Sequence, residues 1–197
     1  MDLRVLLEPT VNLSRLTTVL DELGHEGRLA TLRGWERSHQ ARLYEAAQGY
    51  QPLTLEHFVP ASMAPLTEVI HHGKNSLPMF THFQKRFTRP EGQEAVLWGY
   101  NHQQNQGFTG PGYFSVHTNV EKDMHEGEVA IDYRKLPPDK VSAWPEIIPN
   151  EARLGRFVYA GMVDVMRGLS KHVSIGRAWK NGGWMDAWFV LCREDVN

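Results

Sequence analysis

The sequence of 197 residues has a single cysteine, Cys192, and little excess charge of either sign. One thiol cannot form an intramolecular disulfide and cannot supply a cysteine-based zinc site. The 21 lysines and arginines and 23 aspartates and glutamates leave a net charge of −2, so no overall positive field favours nucleic acid. We therefore expect a protein of a reducing compartment, the cytoplasm, that does not bind nucleic acid.

Long hydrophobic runs are also lacking. No stretch approaches the roughly 20 apolar residues that cross a bilayer, and Pro9 interrupts the N-terminal segment before a signal-like run develops. Hydrophobic residues nevertheless make up 41% of the chain, which is enough for a packed core. The sequence predicts one domain over residues 1–197 and no membrane span.

Residues 1–90 are predicted to be mainly helical. Leucines recur every three or four residues over 12–23, with Asn12 as the N-cap, and a similar spacing extends over 26–48. A third helix is predicted over 64–72. Residues 77–88 fit either a strand or a helix, and the spacing of Phe80, Phe83 and Phe87 favours the helix.

Residues 91–197 change to a period of two. Alternating residues around Trp98, Phe114 and Ile131 predict three strands, and a final hairpin is predicted on either side of the turn at Lys180-Asn-Gly-Gly. Between them, apolar positions spaced by three or four predict a long helix over 150–169. The predicted fold is therefore α+β, in which a helical N-terminal part packs on an antiparallel sheet of about five strands with one long helix, in the order β-β-β-α-β-β.

The order of these segments is similar to that of a known group of domains. The segments are GYFSVHTN, GEVAIDYRKLP, RFVYAGMVDVMRGL, HVSIGRA and AWFVLCRED. Over roughly residues 95–193 the chain resembles the ligand-binding fold shared by 4-vinyl-reductase domains, heme–nitric-oxide-binding domains and TRAPP-type trafficking subunits, and also a myxobacterial paralogue family of unknown function. The resemblance implies an apolar cavity between helices and sheet, a small apolar ligand, and a homodimer. Heme is one cofactor of that group, although its Tyr-x-Ser-x-Arg strand corresponds here to Asp132-Tyr-Arg-Lys-Leu136.

Several side chains are candidates for contact with such a ligand. Tyr100, His102 and His117 fall near predicted strand ends, where they and Arg134 would offer polar groups to a ligand. Phe157 lies on the apolar face of the predicted long helix, and Trp188 belongs to the last hairpin. The alternative is that the histidines are ordinary surface residues.

A metal site is a second candidate. Three Glu-x-x-His pairs occur, and this spacing places both side chains on one helical face. Of the three, Glu36 and His39 lie on an apolar stripe and could bind a divalent metal. The alternative is that the two side chains hydrogen-bond to each other and to Arg33 or Arg42.

Three functional hypotheses follow from these features. The first is a cytoplasmic small-ligand-binding or sensory domain without catalytic activity, and the second is a metal-dependent enzyme that uses Glu36 and His39. The third is an assembly subunit whose surplus tryptophans, Trp184 and Trp188 among them, form a protein–protein surface. The basic cluster of Lys85, Arg86 and Arg89 is typical of a solvated face.

Overall fold

The computed structural model describes residues 2–78, 81–103, 106–119 and 124–195, in which eight antiparallel strands form a closed barrel. Each strand pairs with the next along the chain, and β8 returns to pair with β1, so that His71–Asn75 lie beside Phe189–Arg193. The strands are β1 (Val69–Asn75), β2 (His82–Thr88), β3 (Leu97–His102), β4 (Tyr113–His117), β5 (Val129–Asp132), β6 (Met162–Gly168), β7 (Val173–Lys180) and β8 (Gly183–Arg193). Closure leaves no free edge, and eight strands enclose an interior wide enough for packed side chains or one small ligand.

Three helices cover one side of this barrel. A short 3-10 helix (Leu3–Leu6) precedes α1 (Leu13–Glu22), α2 (His25–Arg33) and α3 (Arg37–Ala46), and the single turns α4 (Leu55–Phe58), α5 (Gln106–Thr109) and α6 (Gly155–Val158) lie in connections. Leu20 and Leu43 on the helices share a buried cluster with Ile175 and Val190, which point outward from β7 and β8. The helical layer therefore shields the outer face of the barrel, and burial of these apolar side chains stabilises the contact.

A second buried cluster fills the inside of the barrel. Alternate residues point inward, as Val129 and Ile131 do on β5 and Phe189 and Leu191 on β8. Leu55, Phe58 and Val59 from the segment around α4 belong to the same cluster, and so does Val69 at the N-terminal end of β1. This segment closes one end of the barrel.

The predicted α+β architecture is wrong, and the largest error is the long helix over 150–169. The structure has only the single turn α6 in its first half and β6 in its second, separated by Gly161 with a φ of 71°. Val163 and Val165 on one face of β6 and Met166 on the other are all buried. A strand buried on both faces loses the alternation of polar and apolar residues, so its sequence imitates a helix.

The predicted helices over 64–72 and 77–88 are also wrong. The second half of the first, residues 69–72, belongs to β1 and residues 82–88 form β2, so the mainly helical part does not extend to residue 90. The inward faces of these strands carry His71 and Lys85 beside their apolar residues, which disguises the strand pattern. Phe80, one of the three phenylalanines whose spacing favours a helix over 77–88, lies outside the described residues.

Other elements were predicted correctly. The Asn12 side chain caps α1 by accepting a hydrogen bond of 3.1 Å from Arg15 N. The strands of the C-terminal half, apart from β6, lie where the period of two places them, and Asn181 and Gly182 form the last turn with positive φ angles of 52° and 91°. The predicted helix over 26–48 divides into α2 and α3 at Gly34–Glu36.

None of the helices within the described residues has the length and apolar character needed to cross a membrane.

Candidate ligand site inside the barrel

A cavity of about 390 Å³ lies at the end of the barrel opposite α4. Small-molecule sites commonly measure about 300–1,000 Å³. Leu77, Phe157 and Met185 line this cavity and are exposed, so they mark its mouth. The apolar part of the wall consists of Leu77, Pro78, Phe83, Phe157, Val158, Met162, Ala178, Met185, Ala187 and Phe189. Because α4 and its neighbours fill the other end, a ligand would enter through this mouth.

Four polar side chains, three on strands and one just after β5, meet at the inner end of the cavity. Lys85 Nζ on β2 lies 3.0 Å from Asp164 Oδ2 on β6 and 3.0 Å from Asn101 Oδ1 on β3. Nζ also donates to the hydroxyl of Tyr133, the residue that follows β5. The three hydrogens of the ammonium group therefore each have an acceptor, as a buried charge requires.

Aromatic rings surround the Lys85 ammonium on its other sides. The ring centroids of Tyr133, Phe189 and Phe114 lie 4.9, 5.0 and 5.1 Å from Nζ. These distances are within the range of cation–π attraction, which adds to the hydrogen bonds. The lysine is 2% exposed, so its charge is held entirely by protein groups.

Burial shifts the pKa values of this cluster. Desolvation lowers the pKa of Lys85, and the neighbouring Asp164 carboxylate opposes that shift. Desolvation raises the pKa of Tyr133 well above its usual value, and the negative charge of Asp164 acts in the same direction. Tyr133 therefore remains a neutral hydroxyl that can donate or accept a hydrogen bond.

The charges at the site cancel. Among the described residues that line the cavity, Lys85 and Asp164 are the ionisable acid and base of opposite sign, and they form an ion pair. Their sum is zero whether the shared proton lies on the amine or on the carboxyl group. A bound molecule with its own charge would have no opposite partner left in this low-dielectric interior.

A second polar pair lies on the wall nearer the mouth. Gln103 Nε2 donates a hydrogen bond of 2.8 Å to the hydroxyl of Tyr159, and the Tyr159 ring stacks on that of Tyr133 with centroids 5.4 Å apart. Burial raises the pKa of Tyr159 to about 12. The wall thus offers an amide and two neutral hydroxyls on an otherwise apolar surface.

The structure brings one of the six predicted ligand contacts, Phe157, to this cavity. Tyr100 and His102 point outward from β3, where Tyr100 packs against Trp144 with centroids 4.9 Å apart. His117 and Arg134 lie on the outer side of the wall around Asp132: His117 Nε2 is 3.6 Å and Arg134 Nε 2.8 Å from its carboxylate oxygens. The expected cavity between helices and sheet is replaced by one inside the barrel.

Trp188, the sixth predicted contact, also points outward. It packs under the helical layer, where the guanidinium groups of Arg37 and Arg177 lie 5.6 and 5.0 Å from its ring. Trp184 packs against the same layer, and the centroids of its ring and of the Tyr44 ring are 6.2 Å apart.

Glu36 and His39, the predicted metal ligands, form a capping box at the start of α3. The Glu36 backbone N–H donates to His39 Nδ1 at 3.1 Å, and the Glu36 side chain accepts from the backbone of His39 in return. His39 Nε2 lies 3.6 Å from Glu8 Oε1.

The polar cluster was missed from the sequence, and Lys85 is the clearest example. The basic residues Lys85, Arg86 and Arg89 together are typical of a solvated face, whereas the structure buries Lys85. The signal that could have found it is Phe83-x-Lys85-x-Phe87, because residues two apart share one face of a strand. If Phe83 and Phe87 face the interior, Lys85 between them faces it too, so the pattern predicts a buried lysine.

Comparison with known proteins found no matching family model, no matching curated protein and no matching solved structure.

Proposed function

We propose that this protein binds a small, mainly apolar, uncharged molecule with one oxygen-containing polar group inside the barrel. The observation that carries the proposal is the neutral Lys85–Asp164 pair at the inner end of an apolar cavity. The polar group would meet Tyr133, Asn101 or Gln103, and the apolar body would lie against the wall near the mouth. In this proposal the protein is a carrier or sensor, and its location in the cytoplasm and its assembly as a homodimer remain predictions from the sequence.

The test uses three ligands of equal chain length and different charge. Decanol, decanoate and decylammonium are titrated at neutral pH against the protein loaded with Nile red, and loss of its fluorescence reports displacement. Because an uncompensated buried charge costs several kcal/mol, we expect decanol to displace the dye at a concentration at least about tenfold lower than either ion does. Equal or stronger displacement by decanoate would contradict the proposed charge selectivity.

Cavity-filling variants test the location. Ala178 and Ala187 line the cavity and are buried, so Ala178→Phe and Ala187→Phe should each remove most of the binding. The matched control is Ala61→Phe, which places the same side chain on an exposed loop. Far-ultraviolet circular dichroism establishes that each variant is folded, and unchanged binding by both folded cavity variants would disprove the site.

A further inference from the structure

A second group of potential ligands lies outside the barrel, under the start of α2. His25 is the first residue of α2, His72 points outward from β1, and Glu194 follows β8. One ligand atom from each of the three lies within 4.8 Å of the others. This group is separate from the cavity, and nothing in the proposed function depends on it.

The positions of the three side chains are fixed by different elements. His72 Nε2 lies 2.6 Å from Glu194 Oε1, and the Glu194 backbone N–H donates to Ile70 O at 2.9 Å, which extends the pairing of β8 with β1. The rings of His25 and His72 have centroids 5.4 Å apart. His72 and Glu194 hydrogen-bond to each other, and this bond does not account for the position of His25 beside them. Moreover, His25 Nδ1 is buried without a hydrogen-bond partner within the described part of the chain.

The space beside these side chains suits a hydrated cation. An open recess of about 380 Å³ is lined by all three of them and by Arg33, Glu26, Leu29 and Asp195. Asp195 is paired with Arg28, and the remaining two carboxylates, Glu26 and Glu194, against the guanidinium of Arg33 give the recess a negative balance before any ion binds. Arg28, nearby, is occupied by Leu23 O and Asp195.

We propose that His25, His72 and Glu194 bind a divalent transition-metal ion such as Zn²⁺. Two imidazoles and one carboxylate are a common ligand set for these metals, with bonds of about 2.0–2.2 Å. Tetrahedral bonds of that length separate ligand atoms by about 3.3 Å, so only small side-chain movements are needed. Three protein ligands leave a coordination position that faces the recess, where a water molecule or a small anion near Arg33 would bind.

The first experiment measures Zn²⁺ binding by the metal-stripped full-length protein in competition with a chromogenic chelator. We expect one Zn²⁺ per chain. His25→Ala and His72→Ala should each weaken binding by more than about 100-fold, because loss of a hydrogen bond that merely supports a ligand weakens metal binding by about 10–100-fold. Glu194→Gln, which keeps the size of the side chain, should weaken it as well.

Two histidine variants serve as controls. His125→Ala removes an exposed histidine that is not among the three proposed ligands, and His39→Ala removes the histidine that the sequence suggested as a ligand. Both should bind Zn²⁺ as the unmodified protein does. Failure of the unmodified protein to bind one Zn²⁺, unchanged binding by His72→Ala, or loss of binding in His39→Ala would each overturn the proposal.

A spectroscopic test examines the open position. Co²⁺ in place of Zn²⁺ gives visible absorption that depends on its ligands, and we expect added azide to change that spectrum in the unmodified protein. No change on saturation with azide would show that the coordination position facing the recess is closed.

Discussion

At the scale of single residues, the barrel interior is packed by pairing phenylalanine with glycine across neighbouring strands. In three register pairs an inward-facing glycine lies directly opposite a phenylalanine whose ring covers it: Gly73 with Phe83, Gly99 with Phe114, and Gly176 with Phe189. The missing side chain leaves room for the ring of the partner, a device known to stabilise glycine in sheets. The packing therefore depends on these glycines having no Cβ.

Gly99→Ala should destabilise the fold. A Cβ at this position would collide with the Phe114 ring and would lie 2.5 Å from the Arg86 carbonyl oxygen, which belongs to the backbone and cannot move aside. We expect the free energy of unfolding in urea to fall by about 1–3 kcal/mol, as for other overpacked cores. Gly183→Ala, at an exposed position on β8 where a Cβ meets nothing within 4 Å, should change it by less than about 0.5 kcal/mol. Equal effects of the two variants would contradict this packing.

Lys85→Met should lower the stability of the fold more than the double variant that removes both Lys85 and Asp164. The single variant leaves the Asp164 carboxylate buried without its cation, and such losses typically cost about 3–5 kcal/mol of unfolding free energy. The double variant Lys85→Met with Asp164→Leu removes both charges, so we expect it to recover most of that loss. Urea denaturation of the three proteins measures the difference, and a double variant no more stable than the single one would contradict it.

At the scale of elements, one arginine ties the helical layer to the barrel. Arg167 on β6 donates to Glu128 Oε1 at 2.6 Å and to Tyr44 O on α3 at 2.7 Å, and its guanidinium lies 3.9 Å from the centre of the Tyr44 ring. Arg167 and Glu128 are both buried. A single side chain therefore joins α3, the segment before β5, and β6.

Arg167→Met should loosen α3 from the barrel. It leaves the buried Glu128 carboxylate without its cation, so we expect a loss of about 3–5 kcal/mol in unfolding free energy and faster proteolysis within residues 37–46. Arg42→Met is the matched control. Arg42 also lies on α3, but it is half exposed and its ion-pair partner Glu8, at 3.1 Å, is exposed, so its loss should cost less than about 1 kcal/mol. A small effect at Arg167 would show that this side chain does not hold the layer on the barrel.

At the scale of the whole molecule, the barrel explains which parts of the fold were readable from the sequence. The strands around Phe114 and Ile131 and the last hairpin could be predicted because their alternation or turn chemistry is local. Closure of the barrel could not, since the pairing of β1 with β8 joins residues more than 100 positions apart.

The candidate site was hidden by the same architecture. Sequence patterns place polar residues on the solvent side of a strand, but this barrel points Lys85, Asn101 and Asp164 inward. Each is paired by a residue from another strand, so no single segment shows why it can be buried. Phe157 was identified for its apolar character, although the helix proposed to carry it does not exist beyond one turn.

The closed end of the barrel should make the whole molecule sensitive to acid, because it holds the fully buried His71 and beside it the largely buried His57. Burial, reinforced by neighbouring positive charge, lowers the pKa of His57 to about 3 and that of His71 well below its usual value. In the unfolded chain both imidazoles bind protons near pH 6.5, whereas in the folded state they stay neutral to much lower pH. Their contribution to stability is therefore complete above about pH 6.5 and is lost as the pH falls toward 3, at up to about 1.4 kcal/mol per pH unit for each imidazole. We expect His71→Gln to flatten the dependence of unfolding free energy on pH between 6.5 and 4, even if it lowers stability at pH 8, while His82→Gln on the exposed side of β2 leaves the slope unchanged. An unaltered slope in His71→Gln would mean that the buried imidazole at the closed end does not oppose protonation.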